Sequence, residues 1–219
     1  MHIFLAITSY EGKIYSECAE SLLSNVAYLE KKGYTVRTHF HSGDCFIARA
    51  RNVCAHLFLQ SDCAELVFVD SDIGFEKDGI YKLVRHYKSI VAGAYPYKQS
   101  DKGFPVVLEF NPETNNCLEA STGLVTAEIA PTGFMRIQRS VLEKMKDFVH
   151  LDHNGMYSFF DTGMVFDDDN RWYGEDNVFC KRWKALGGGI WIEPNINFTH
   201  IGSRTFSGNY HEYLSAGGK

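Results

Sequence analysis

A folded chain does not bury unpaired charge, and this makes the run Glu65-Leu66-Val67-Phe68-Val69-Asp70-Ser71-Asp72 the most constraining stretch of the sequence. Its continuous apolar, partly β-branched centre reads as a strand covered on both faces, as in a parallel sheet. Asp70 and Asp72 therefore mark the point where the strand leaves the core, the C-terminal sheet edge at which open α/β sheets hold ligands. Residues i and i+2 of an extended chain lie on one side, so the two carboxylates can share one hard cation. Turn residues or a helix N-cap ahead of Ile80-Tyr81 would explain them equally well.

The 219 residues suffice for one substantial core, and a net charge of −5 argues against a general nucleic-acid binder. A small anionic ligand is still compatible with that charge, because a metal supplies positive charge locally. The apolar opening His2-Ile3-Phe4-Leu5-Ala6-Ile7 is too short to span a membrane and lacks a basic lead, so it reads as a first strand, and no transmembrane segment is expected. The six cysteines show no C-x-x-C spacing and read as reduced thiols, which places the protein in the cytoplasm.

Strand one ends in Thr8-Ser9-Tyr10-Glu11-Gly12. A helix through Tyr15, Cys18, Leu22, Val26 and Leu29 follows and stops at Lys31-Lys32-Gly33. Tyr34–Phe40 is a second strand, His41–Asp44 a turn, Cys45–Gln60 a second helix, and the aspartate strand is the third. This βαβαβ order is that of a doubly wound nucleotide-binding half, without the G-x-G-x-x-G of dinucleotide dehydrogenases. A helix through Ile80, Leu83 and Val84 and a strand at Ser89–Ala94 come next. Strands at Pro105–Phe110 and Thr122–Ile129 have no helix between them and should be antiparallel. Arg139–Lys146 and Gly174–Leu186 read as helices, Ile190-Trp191-Ile192 as a last short strand, and the residues after His200 as a polar tail.

Laid in order, Asp70-Ser71-Asp72, Pro131-Thr132-Gly133-Phe134, Gly174-Glu175-Asp176 and His200-Ile201-Gly202 resemble the motif series of the GT-A family of nucleotide-sugar-dependent glycosyltransferases. That series comprises a D-x-D motif, a glycine loop, an x-E-D motif and a late metal-binding histidine. The resemblance spans nearly the whole chain and is to the small single-domain type of bacteria, large DNA viruses and phages. It implies a Rossmann-like α/β fold, with a mixed, mostly parallel sheet flanked by helices and a small antiparallel part. It also implies one domain, with residues 1–100 as the nucleotide-binding half and 101–219 as the acceptor-side half.

The resemblance further implies a donor, most readily a UDP-sugar, and a glycan or other hydroxyl acceptor, joined by an inverting transfer. Asp70, Asp72 and His200 would hold Mn²⁺ or Mg²⁺, weakly until the diphosphate completes the shell; mixed oxygen and imidazole ligation favours Mn²⁺. Thr8 and Tyr10 would hold the base, Arg49, Arg51 and Asn52 would lie near the nucleotide, and Ser71 and Lys98 would meet the donor. Gly133 would lie against the donor sugar or acceptor. Asp176, or its neighbour Glu175, would act as base.

Each position has a plainer explanation: a core histidine for His200, an ordinary turn for Gly133, a solvated helix face for Arg49-Ala50-Arg51-Asn52, a surface lysine for Lys98. Acidic residues in a first helical turn answer the helix dipole without any catalysis. The acidic residues Asp161, Asp167, Asp168 and Asp169 read as a loop over the site, and Trp172 and Tyr173 suit either sugar stacking or a core. A sugar nucleotidylyltransferase and a non-catalytic nucleotide- or sugar-binding module are the alternatives. The first lacks its Gly-rich, Arg/Lys-bearing loop after strand one.

Overall fold

The computed structural model describes residues 1–99, 103–164 and 171–218. The first half comprises β1 (His2–Ser9), α1 (Ser16–Lys31), β2 (Thr35–Ser42), α2 (Ile47–Gln60), β3 (Glu65–Asp70), β4 (Ile73–Phe75), α3 (Gly79–Val84) and β5 (Ile90–Gly93). The second half begins with β6 (Val107–Leu108), β7 (Leu118–Glu119), β8 (Leu124–Ile129), β9 (Phe134–Gln138) and α4 (Arg139–Met145). It continues with β10 (Gly163–Met164), β11 (Trp172–Tyr173), α5 (Glu175–Ala185), β12 (Trp191–Glu193), β13 (Asn197–Ile201), β14 (Thr205–Asn209) and α6 (Tyr210–Ser215).

The main sheet runs β2-β1-β3-β9-β5-β12-β8-β6, with β7 also on β8. β1 pairs in parallel with β2 and β3, and β12 with β5, while β9 and β8 run against their neighbours. The aspartate strand explains the layering. Leu66 and Phe68 face one apolar layer with Phe58 of α2 and Phe179 of α5, whereas Val67 and Val69 face a second with Leu22 of α1 and Ile80 of α3. All four are fully buried, so the continuous apolar run is that of a strand covered on both faces.

Four features differ from the sequence reading. β9 inserts antiparallel between β3 and β5, pairing Val69 with Phe134. A central strand so reversed carries its N-terminal end, Thr132-Gly133, to the edge where the parallel strands end. β4 follows Asp72 directly and joins β13 and β14 in a separate antiparallel sheet. The residues after His200 are not an irregular polar tail. They complete this sheet and end in α6, because Tyr210 and Tyr213 pack on Phe104, both at 5.0 Å between ring centroids. Aromatic anchors spaced among polar residues leave no periodic trace in the sequence. The strand expected at 105–110 shrinks to Val107–Leu108, where its register against β8 shifts. Among the described residues no helix is long and apolar enough to cross a membrane. Asp167, Asp168 and Asp169 lie outside the described residues.

Candidate active site

The C-terminal ends of β1, β2, β3 and β5 converge on one edge, and a cavity of about 590 Å³ opens there. Thr8, Tyr10, Lys13, Tyr15, His41, Asp44, Asp70, Ser71 and Asp72 are among its lining residues. A larger groove of about 770 Å³ lies against α1 and the small sheet, lined by Glu17, Glu20, Glu76 and Glu212 but by none of the motif residues. Chemistry, not size, makes the smaller cavity the candidate site.

Asp70 ties the site's elements together. Its carboxylate accepts a hydrogen bond from the Thr8 hydroxyl (2.9 Å) and pairs with the Arg51 guanidinium (3.1 Å), and its N–H donates to the Gly133 carbonyl (2.8 Å). Gly133 makes this approach possible. A Cβ there would sit 2.4 Å from both Asp70 Oδ2 and Tyr95 Oη. Gly133→Ala is therefore expected to destabilise the fold by ~1–3 kcal/mol through overpacking. Thermal melting checks this; an unaltered melting curve would contradict the tight approach.

Arg51 is almost wholly buried and spans the site from beneath, its Nε donating to Glu175 Oε1 at 3.2 Å. Burial works against its charge, but Asp70 and Glu175 outweigh burial and hold the guanidinium above its usual range. Asn52 clamps the backbone of Phe160 through both amide atoms (2.7 and 2.8 Å). Arg49 pairs with Asp44 (2.5 Å) at the cavity wall. The three neighbours on α2 thus serve three different partners.

Asp72 stands apart. Its Oδ2 meets the Lys98 ammonium, and its Oδ1 lies 3.8 Å from His200 Nε2, beyond hydrogen-bond reach. His200 Nδ1 is 2.8 Å from the Pro96 carbonyl. A carbonyl only accepts, so Nδ1 carries the proton and Nε2 presents its lone pair toward Asp72. Burial holds the imidazole below its ordinary pKa, which favours this neutral form. A carbonyl that accepts from one ring nitrogen and so fixes the ring of a ligating histidine is a common arrangement at metal sites. The β4–β13 pairing sets the spacing, because Ile201 N–H donates to the Asp72 carbonyl (2.9 Å). No group of three or more His, Cys, Asp or Glu side chains forms a ready metal cage among the described residues. Asp72 and His200 are thus two side chains that could take a cation together, and they do not by themselves enclose one.

On the far side, α5 begins at Glu175 with Gly174 as its N-cap. Glu175 is held by Arg51, and Asp161 by Arg182 at 3.3 Å. Asp176 has no ion pair among the described residues; its Oδ1 accepts from the N–H of Asn177 (2.7 Å). Burial, then the Glu175 charge, push its carboxyl above the ordinary aspartate range. Tyr97 senses the Asp176 charge, its phenol being raised by burial and then by that carboxylate. Trp172, four residues before Asp176 in the chain, is largely exposed, whereas Tyr173 is buried.

The sequence reading passed over Tyr95, His41 and Asp44. Tyr95 puts its hydroxyl against Gly133 and its ring 5.0 Å from that of His200, while His41 and Asp44, 3.5 Å apart, line the cavity. Each lies in the last residues of a strand or just beyond its end at the same sheet edge, so strand order was the signal that points to them.

No protein-family model matches the sequence, and no curated protein matches it. Solved structures do match. The STIV protein A197 shares 16% identity over 96% of this chain and 91% of its own, with a TM-score of 0.62. A mutant of Drosophila β1,4-galactosyltransferase 7, solved in complex with manganese, UDP-Gal and xylobiose, shares 16% identity with a TM-score of 0.51, covering 97% of this chain and 74% of that one. GalNAc-T7, solved with UDP, GalNAc and Mn²⁺, shares 10% with a TM-score of 0.53; 87% of this chain aligns with 41% of it. The fold is that of the GT-A glycosyltransferases: a mixed, mostly parallel sheet flanked by helices, with a small antiparallel sheet beside it.

Proposed function

We propose that this chain is a metal-dependent glycosyltransferase, moving a sugar from a UDP-sugar to a hydroxyl of a glycan or other acceptor with inversion at the anomeric carbon. The observation that carries the reading is the Asp72–His200 pair, with an imidazole lone pair and a carboxylate oxygen facing each other 3.8 Å apart beside the sheet-edge cavity. The UDP and manganese in the complexes of GalNAc-T7 and β1,4-galactosyltransferase 7 agree with it.

In this reading the base and ribose enter the cavity between Tyr10 and Asp44, and the diphosphate runs over Ser71 toward Asp72. Asp72 and His200 would hold Mn²⁺ or Mg²⁺, and Asp70 braces the strand end through Thr8, Arg51 and Gly133. When bound, the ion would supply the positive charge that neutralises the diphosphate as a leaving group. Asp176 takes the proton of the acceptor hydroxyl. The hydroxyl oxygen then bonds to the anomeric carbon as the bond to the diphosphate breaks. Trp172 offers an aromatic face to the acceptor. Residues 1–100 form the donor side and 101–219 the acceptor side of one domain working in the cytoplasm.

A thermal-shift series of nucleoside diphosphates and nucleotide sugars, with and without Mn²⁺, tests the reading. A true donor at a hundredfold excess over its Kd should add roughly 2.7 kcal/mol of stability, and only with the metal present. Equal shifts with and without Mn²⁺, or none with any uridine nucleotide, would overturn it.

A further inference from the structure

The two aspartates at the end of β3 are neutralised in different ways. Asp70 is paired with Arg51, which is buried and also bound to Glu175. That cation has nowhere to go. Asp72 is paired with Lys98, whose side chain is 37% exposed and whose ammonium sits on a flexible stem. The two cations therefore differ in their freedom to leave.

We propose that Lys98 is an internal competitor for the divalent ion. Its ammonium holds Asp72 when the site is empty of donor, and it transfers to the diphosphate when metal and donor enter together. The inference rests on the donor chemistry proposed above and adds a role that neither the metal pair nor the cavity requires.

Three placements support it. Lys98 takes Asp72 Oδ2 while His200 faces Oδ1, so ligand and competitor address the same carboxylate from two oxygens. The Lys98 stem lies over the bare Cα of Gly202, the residue after β13, where a Cβ would come 3.1 Å from Lys98 Cδ, so the missing side chain makes room for the stem beside the strand that carries His200. Finally, Lys98 lies two residues beyond Pro96, whose carbonyl orients His200, so one short segment after β5 positions both a metal ligand and the metal's rival.

The charges give the logic. A divalent ion arriving alone must share the Asp72 carboxylate with a nearby ammonium or displace it, and gains only a neutral imidazole in addition. An ion arriving with a diphosphate brings anionic oxygens that the displaced ammonium can follow. Lys98 thus couples metal binding to donor binding.

The test compares wild type with Lys98→Met and Lys98→Arg. Binding of Mn²⁺ alone is followed by electron paramagnetic resonance, and binding of UDP in Mn²⁺ by calorimetry. Lys98→Met should bind Mn²⁺ alone about fivefold more tightly, the scale of a partly exposed ion pair, and should bind UDP in Mn²⁺ more weakly than wild type. Lys98→Arg should bind Mn²⁺ alone near the wild-type level. Weaker UDP binding by Lys98→Met with unchanged affinity for Mn²⁺ alone would make Lys98 a phosphate contact only and overturn the competition. In that outcome the donor reading survives. If wild type shows no Mn²⁺-dependent UDP binding, the donor reading falls and the competition with it.

Discussion

Asp72→Ala is expected to abolish the Mn²⁺ dependence of UDP binding and to leave the fold standing. The substitution removes one of the two side chains that face each other across 3.8 Å, and His200 alone offers a single neutral ligand. The diphosphate would then bind as weakly with Mn²⁺ as with a chelator. Stability should change by less than ~1 kcal/mol, because the Lys98–Asp72 pair is partly exposed and such pairs contribute little. The backbone of Asp72 still accepts from Ile201, so β4 and β13 keep their register. Calorimetric titration of UDP with and without Mn²⁺, beside a thermal melt, reads both effects. A variant whose UDP affinity and metal dependence match wild type would place the metal elsewhere.

Asp176→Asn is expected to reduce sugar transfer by about 10²–10⁴, the usual worth of a general base, while donor and metal binding persist. The free carboxylate is a weak base, and the raised pKa of Asp176 moves it toward a more useful strength. The sign of the pH dependence follows. The base acts ionised, so transfer rises with pH through the raised pKa of Asp176, and the acidic limb of the profile should vanish in Asp176→Asn. For stability the sign is opposite. A carboxyl raised by burial favours the folded state when protonated, and that contribution is lost as pH rises through its folded pKa. Asparagine carries no charge to bury, so the melting temperature at neutral pH should be equal or higher.

Glu175→Gln separates structure from chemistry, because it releases one arm of the buried Arg51 and should lower the melting temperature. If Asp176→Asn transferred sugar at the wild-type rate while Asp161→Asn did not, the base would lie in the segment after Phe160. If neither substitution mattered, NMR of the product's anomeric configuration would decide whether transfer inverts at all.

Local pattern carried the first half of the fold. The apolar stretch before Asp70 is buried on both faces, the three- and four-residue steps from Cys18 to Leu29 form α1, and Gly33, at a φ of 83°, stops it. Such features depend on neighbours in the chain, and burial follows from their period. The second half was less legible. β9 contains Arg136, fully buried and bonded to the carbonyls of Leu83, His86, Lys88 and Ser89, a charge that no hydropathy reading assigns to a central strand.

The same division runs through the site. The order of Asp70, Asp72, Gly133, Glu175, Asp176 and His200 along the chain came from the resemblance to a motif series, and only Asp70 and Asp72 stand out locally, by contrast with the apolar strand before them. Their present partners were not legible. Arg51 reads as one face of a helix, yet it is turned inward and spans Asp70 and Glu175, residues 19 and 124 positions away. Lys98 reads as surface, yet it holds Asp72, and Tyr95 is marked only by the space that Gly133 leaves for it. The sequence by itself determined which residue types end each strand, because a charge or a missing side chain there is a local fact. Only the tertiary structure decided which charge each carboxylate keeps, because ion pairs form between side chains that strand order, and not chain distance, brings within reach.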